Sequence, residues 1–139
     1  MPDFNEAAVA VVSLFDAAMN ERHPDVQRFY DNQQRKNPPA VTAPWIRFSI
    51  LGGGARLPEL GSRMTDELGR AVAQIFTPVG TGDELGRTIA ASVKNAMQSV
   101  RVGEVQLYET TITVAQGDQG SPWRQINAST KFRFESTPA

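Results

Sequence analysis

The segment that most resembles a reactive site is a glycine-rich turn, Gly80-Thr81-Gly82-Asp83-Glu84-Leu85-Gly86. In a dinucleotide fingerprint, G-x-G-x-x-G, glycines between a strand and a helix let the backbone approach a pyrophosphate. Here the last glycine comes one residue late, and Asp83 and Glu84 put negative charge where the phosphates would sit. Thr81 and Glu84 also fit a helix capping box, T-x-x-E. We interpret the segment as a turn and a helix start, and keep a nucleotide-binding enzyme as an alternative.

Other residues that could carry chemistry are few. His23 is the only histidine and precedes Pro24, so we interpret it as a helix-end side chain rather than part of a Ser-His-Asp arrangement. The chain has no cysteine, so no thiolate can act as a nucleophile or metal ligand. Gly52-Gly53-Gly54 with Arg56 lacks the Lys-Ser or Lys-Thr of a phosphate-binding loop. We therefore predict no catalytic residue, no cofactor and no metal site, and thus no enzyme.

Four basic residues in the last third of the chain could form a patch with aromatic ones. The set is Arg101, Arg124, Lys131 and Arg133, with Trp123 and Phe132 interleaved. Strand alternation would place Lys131 and Arg133 on the face opposite Phe132, so a solvated sheet face explains them. The net charge of −1, from 14 basic and 15 acidic residues, argues against a dedicated nucleic-acid-binding protein. We predict no specific nucleic acid partner and keep a nucleic-acid-binding module as an alternative.

Two amphipathic helices are predicted from apolar residues that recur every three or four positions. The first runs from about Asn5 to Arg22; Asp3 or Asn5 can cap it, and Pro24 ends it. The second runs from about Asp83 to Val100, with an apolar stripe formed by Leu85, Ile89, Val93 and Met97. The polar segment between His23 and Pro44 is interpreted as a connector, with Phe29 and Tyr30 against the core.

Four strands are predicted from residue alternation and from threonine and valine content. They span Trp45–Leu51, Gly69–Thr77, Val105–Ala115 and Trp123–Glu135, and the glycine triplet after Leu51 is expected to end the first of them. The resulting order is α-β-β-α-β-β. We predict an α+β fold with a mainly antiparallel four-stranded sheet and two helices packed on one of its faces.

Length and composition set the class of protein. The 139 residues are close to the commonest size of one domain, so we predict a single domain over 1–139. Forty per cent of residues are hydrophobic, as in ordinary globular chains. No apolar run is long enough to span a membrane, and acids stand where a signal peptide would be basic. We therefore expect no membrane partner, no export, and assembly in a cytoplasm.

Several segments, in order, resemble the tail terminator (tail completion) proteins of long-tailed bacteriophages. These are Pro44–Phe48, the run Val72–Gly82 after Gly69, and Gly120–Asn127 leading to Phe132 and Phe134. The resemblance implies a structural protein that forms a ring, with a hexamer expected, on the head-proximal end of the tail. It implies the tail tube protein and a head-completion or connector protein as partners. It also implies location in the virion tail, after assembly in the host cytoplasm. A different head–tail joining or neck protein is the nearest alternative.

We expect the partners to meet the open sheet face and the long loop from Gly52 to Met64, because a long loop in a small domain is often functional. Tryptophan and arginine are enriched at protein interfaces, and both types occur here. The predicted interface residues are Trp45, Arg47, Arg56, Leu57, Leu60, Arg63, Trp123, Arg124, Lys131 and Arg133.

Overall fold

A computed structural model describes residues 3–31, 43–56, 65–80, 83–115 and 121–136. Two helices and six strands occur within these ranges. In chain order they are α1 (Phe4–Arg22), β1 (Gln27–Tyr30), β2 (Trp45–Arg56), β3 (Thr65–Pro78), α2 (Glu84–Met97), β4 (Arg101–Val102), β5 (Val105–Ala115) and β6 (Trp123–Ser136).

Helix α1 has the bounds that its sequence signals predicted. The Asp3 carboxylate accepts a hydrogen bond from the N–H of Glu6 at 2.7 Å, which satisfies one of the free donors of the first turn. The helix ends at Arg22, one residue before His23 and two before Pro24. Its buried stripe is Ala7, Val11, Phe15 and Met19.

Helix α2 begins differently from the prediction. Asp83 occupies the N-cap position without a side-chain capping bond. Thr81, the first half of the predicted capping box, lies outside the described residues. The stripe predicted to be buried is buried at Ile89, Val93 and Met97, whereas Leu85 is exposed.

The six strands form one mixed sheet in the order β1-β2-β3-β6-β5-β4, which curves into a half-barrel. The four long strands pair antiparallel, and β3 and β6 stay in register from Thr65↔Ser136 to Pro78↔Trp123. β1 pairs parallel with the start of β2, and β4 pairs with the start of β5.

The predicted four-stranded antiparallel sheet is therefore wrong. The prediction missed β1 and β4 because strands of four and two residues are too short for alternation to stand out. It also ended β2 too early. The strand passes through the glycine triplet by means of a bulge between Gly52 and Gly54, where Gly54 takes a φ of 107° that favours glycine. β3 correspondingly begins at Thr65 rather than Gly69.

Both helices contact the same face of the sheet, here called the inner face. The core consists of the inner-face side chains and the helix stripes, and its largest members include Phe15, Phe48, Phe132, Phe134 and Met19. Phe15 stacks on Phe48 with ring centroids 4.0 Å apart, which joins α1 to β2. A buried pair of hydroxyls, Thr110 and Thr130, satisfy one another at 2.7 Å between β5 and β6.

Gly69 leaves room for the ring of Phe132, its directly opposite partner on β6. A Cβ atom at position 69 would lie 2.2 Å from Cζ of Phe132, far inside contact distance. We predict that Gly69→Ala lowers the free energy of unfolding by about 2 kcal/mol, because overpacking forces a core ring from its rotamer. Urea denaturation monitored by circular dichroism measures the change.

Gly52→Ala is the matched control, since Gly52 lies in the neighbouring strand opposite Gly69. A Cβ atom there would have only ordinary contact with Phe4, at 3.8 Å. We expect Gly52→Ala to leave stability within about 0.5 kcal/mol of wild type. Equal losses in both variants would mean that backbone effects, and not the Phe132 ring, explain the glycine at position 69.

Candidate assembly surface

The face of the sheet away from the helices, here called the outer face, carries alternating polar and aromatic side chains. In β3 and β6 the even positions up to 76 and the odd positions from 125 point outward. They are intermediate or exposed, apart from Asp66, which is buried. The described helices leave this face uncovered, so it is available to a partner.

Four aromatic residues form a cluster at one end of the outer face. Trp45 and Phe76 are directly opposite on β2 and β3, and their rings stack 4.1 Å apart. Phe29 and Trp123 meet the ring of Trp45 edge to face, at 5.5 and 5.9 Å. Trp45 is only 7% exposed as a result. This predicted interface residue thus forms the centre of the cluster, and Trp123 its half-buried side.

At the opposite end, Arg133 is held among polar partners on three strands. Its Nη1 lies 3.0 Å from Asp66 and 3.9 Å from Glu135. Its Nε donates to the hydroxyl of Tyr108 at 3.1 Å. The hydrogen bond and charge at Tyr108, with a smaller effect from Asp66, raise the pKa of Arg133 above its ordinary value. Arg133 therefore joins the outer surfaces of β3, β5 and β6.

Between these two ends, Arg70 of β3 and Lys131 of β6 stand directly opposite one another, and both are exposed. Like charges in this relation destabilise an antiparallel pair. Neither makes an ion pair with any described residue. They line a shallow concavity of about 520 Å³ with mainly hydroxyl-bearing neighbours: Tyr108, Glu109, Thr111, Thr113 and Ser129. In the described part of the chain, the pair is thus positive charge without an ion pair, with Glu109 as the one carboxylate that lines the same concavity.

Arg124, also predicted at the interface, points to the other side of the sheet. Its Nε and Nη2 lie 3.1 and 3.2 Å from the two carboxylate oxygens of Asp83, a bidentate pair. The pair ties the start of β6 to the N-cap of α2. The carboxylate of Asp83 is thus paired with Arg124. Its negative charge disfavours binding of a phosphate at the N-terminus of α2.

The remaining predicted interface residues are distributed along β2 and beyond it. Arg47 lies on the outer face, 53% exposed at its side chain and 3.8 Å from Asp31. The backbone of Arg56 forms the last pair of β2, with Asp66. Leu57, Leu60 and Arg63 lie outside the described residues.

His23, the alternative catalytic candidate, links the two helices. Its Nε2 forms a hydrogen bond with Ser92 Oγ at 2.9 Å, and Ser92 Oγ lies 3.1 Å from the carbonyl oxygen of Thr88. Burial, followed by the charge of Arg22, lowers the pKa of His23 below 6.5.

An open groove of about 730 Å³ runs between α1 and the strands β1 and β2. Asp16 of α1 accepts a hydrogen bond from the hydroxyl of Tyr30 and lies 3.4 Å from Nε of Arg28. Burial and the hydrogen bond to Asp16 raise the pKa of Tyr30. These contacts fix β1 against α1, so they explain the polar side of the groove without a ligand.

Over the ranges given above, no three histidine, cysteine, aspartate or glutamate side chains are close enough together to hold a metal ion. Neither α1 nor α2 has the length and apolarity needed to cross a membrane, and these are the helices of the described residues.

The fold occurs in other proteins, although no family model and no curated protein matches the sequence. A solved structure without a functional name has 16% identity and a TM-score of 0.62, over 96% of this chain and 95% of that one. A second, from the virion of a native gene transfer agent particle, has 14% identity and a TM-score of 0.57. That match covers 92% of this chain and 93% of the virion chain. Both likenesses concern the fold over its whole length.

The Arg70–Lys131 pair predicts an unusual response to charge reversal. Lys131→Glu replaces a repulsive cross-strand pair with an attractive one, so we expect the free energy of unfolding to rise by up to about 1 kcal/mol. Adding Arg70→Glu restores a like-charge pair and should return stability to about the wild-type value. Urea denaturation at low and high salt measures both. If Lys131→Glu is no more stable than Arg70→Glu/Lys131→Glu, the two side chains do not interact.

The depressed pKa of His23 predicts that stability falls with acidification. The unfolded chain binds a proton near pH 6.5 and the folded chain only at lower pH, so this contribution is complete above 6.5 and lost as pH falls below it. Urea denaturation at about pH 7.5 and about pH 5.5 gives the difference, before carboxylates titrate. His23→Gln keeps a donor without titrating and should reduce the difference. If acidification lowers the stability of His23→Gln as much as that of the wild type, His23 is not the group responsible.

Proposed function

We propose that this chain is a structural protein of a phage or phage-like particle, and specifically a tail terminator whose ring caps the tail tube. The observation that carries the first part is the fold shared with a chain of a gene transfer agent virion, over almost the full length of both. Such a match does not depend on one motif or on one part of the sheet. It supports the same fold for the whole protomer.

The finer assignment is supported by the residue pattern and by the surfaces. The described parts of the terminator-like segments coincide with three adjoining elements. Pro44–Phe48 leads into the start of β2, the run from Val72 follows β3 to Pro78, and the residues up to Asn127 include the start of β6. Together these segments build the aromatic end of the outer face. A terminator must present one surface to the tube, one to the head side and two to its neighbours in the ring. An uncovered sheet face suits such a protein.

The Arg70–Lys131 pair supports an acidic partner surface. Two exposed cations held opposite one another weaken the isolated protomer, and a stability cost of this kind is typical of residues retained for function. A carboxylate from the tube or from a connector protein would neutralise them. The hydroxyls of Thr111, Thr113 and Ser129 would provide further donors in the same concavity.

The arm formed by the ends of β2 and β3 is the second proposed contact. It extends the hairpin beyond the predicted strand end at Leu51, to the pair Arg56↔Asp66. We propose that this arm, with the loop that follows Arg56, reaches the tube or an adjacent protomer. Shortening the loop should then change tail length or head joining while the sheet remains intact.

A head–tail joining or neck protein is the second candidate, since a virion fold match serves that assignment equally well. The two differ in their partners. A terminator binds the growing end of the tube and stops it, whereas a neck protein binds completed heads or terminated tails. The choice therefore depends on an experiment with tube protein.

The test is tube assembly in the presence of this chain, with the tube protein of the same particle. We expect the wild-type protein to shorten the length distribution and to appear as a ring at one tube end in negative-stain images. The double variant Arg70→Glu/Lys131→Glu should lose capping, because it reverses the charge of the outer face while keeping a like-charge pair. Tubes of unchanged length with wild-type protein would contradict the terminator assignment.

Arg87→Glu/Arg101→Glu is the control variant with the same change in net charge. Both residues are exposed, one on α2 and one on β4, away from the concavity. This variant should cap tubes as the wild type does. If it fails equally, net charge rather than the outer face controls capping. Binding to heads without tube capping would instead favour the neck protein.

A further inference from the structure

One edge of the sheet is left open along the second half of β5. Its neighbour β4 pairs only with Val105 and Gln106, and β6 lies on the other side of β5. The four residues from Thr111 to Val114 are all exposed. No described strand or helix covers this edge after Thr110.

The backbone groups at this edge are arranged to accept another strand. The N–H of Thr110 points away from β6 and bonds to the side-chain oxygen of Gln98 at 3.3 Å. In an antiparallel strand the groups of alternate residues point to the same side. The N–H and C=O groups of Ile112 and Val114 therefore face the same edge as those of Thr110, beyond the reach of the Gln98 bond.

The side chains at this edge lack the features by which proteins usually protect an open strand. The run Thr110–Ala115 reads Thr-Thr-Ile-Thr-Val-Ala, with no charge, proline or glycine. Ile112 and Val114 are 38% and 52% exposed although they are apolar and point toward the helix side of the sheet. Such an edge is favourable for strand addition, which covers backbone and apolar side chains together.

The same sheet has a second open edge, which makes another copy of this chain a suitable occupant. β1 pairs with β2 only from Trp45 to Phe48, and beyond Phe48 no described strand lies on that side of β2. Leu51, in this uncovered part, is 52% exposed. The two open edges lie at opposite ends of a curved sheet, so a contact between them is head to tail and continues from copy to copy.

Strand direction agrees with this pairing. β2, β3, β6 and β5 alternate in direction, so β5 runs opposite to β2 within one chain. Through the paired strands of one chain, Val114 lies level with Ile46 and not with Leu51, so the axis that relates the two copies is tilted from the strands. Rotation about an axis with a moderate tilt still preserves these directions. β5 of one copy would therefore meet β2 of the next as an antiparallel pair, the more stable arrangement.

We infer that the open edge of β5 at Ile112 and Val114 binds the open edge of β2 near Leu51 in a second copy of this chain. The inference rests on the proposed ring and names the contact that would close it. The half-barrel sheets of successive copies then join into one continuous sheet.

The absence of cysteine allows a direct test by site-specific crosslinking. Thr113→Cys and Leu51→Cys introduce thiols on the outer face of the two edges, where both native side chains are exposed. Diagonal neighbours across paired strands lie about 7–8 Å apart, so a short bismaleimide tolerates a shift in register. The full-length chain is crosslinked across a concentration series and analysed on denaturing gels.

We expect the double-cysteine variant to give a ladder of covalent oligomers, and a mixture of the two single variants to give a dimer. Each single variant alone should remain monomeric. A dimer from Thr113→Cys alone would indicate β5 against β5, and would overturn the inference. Rings in negative-stain images without any crosslink would overturn the edge contact but keep the proposed ring. If neither rings nor crosslinks form, with or without tube ends present, the result contradicts both the edge contact and the proposed ring.

Val114→Pro gives an independent test, because it removes an outward N–H without removing a bond to β6. Proline is tolerated at such an edge position but prevents pairing with a new strand. We expect this variant to keep its thermal transition and to lose self-association in light scattering. Val114→Ala, which retains the N–H, should associate at least in part. Equal association of the proline variant and wild type would overturn the inference.

Discussion

The register between β3 and β6 is the constraint on which the rest of this structure depends. Each strand has 14 residues and they pair along their whole lengths. Because side chains alternate with a period of two, a slip of one residue would exchange the inner and outer faces. The register places Phe132 over Gly69 on the inner face and Lys131 beside Arg70 on the outer one. One set of backbone bonds thus determines both the core and the candidate surface.

The two faces follow different physical rules. The inner face gains stability from apolar burial against the helices, and two of its buried hydroxyls, Thr110 and Thr130, bond to each other. The outer face contains an aromatic cluster at one end, an arginine held by three partners at the other, and two unneutralised cations between them. This combination gives a rigid surface with one place where added negative charge would be favourable.

The two edges of the sheet leave backbone hydrogen-bonding groups open in the described part of the chain. A six-stranded open sheet has two ends, and here each end is covered over only part of its length. A closed barrel would need no partner at its edges, whereas an open half-barrel with an uncharged edge strand exposes hydrogen-bonding groups. The proposed ring would satisfy these groups by joining the edges of neighbouring copies.

The sequence by itself determined the long, periodic elements. The stripe of α1, the cap at Asp3 and the alternation of β6 are local signals, and the structure has both elements close to the predicted bounds. Local signals failed where the element was short, as in β1, or where a glycine was interpreted as a strand end although it forms a bulge within β2. A bulge requires the partner strand to exist, and that partner is distant in sequence.

Only the tertiary structure decided which candidates form a common surface. Alternation alone could not show that Trp45 is buried by Phe76 and Trp123, because these contacts join three strands. It could not show that Arg124 turns to Asp83, or that Arg70 meets Lys131. The edge of β5 could not be predicted either, since only the fold shows that no described strand lies beside its second half. Pairing between distant segments sets all these features, and a sequence specifies that pairing only through the whole fold.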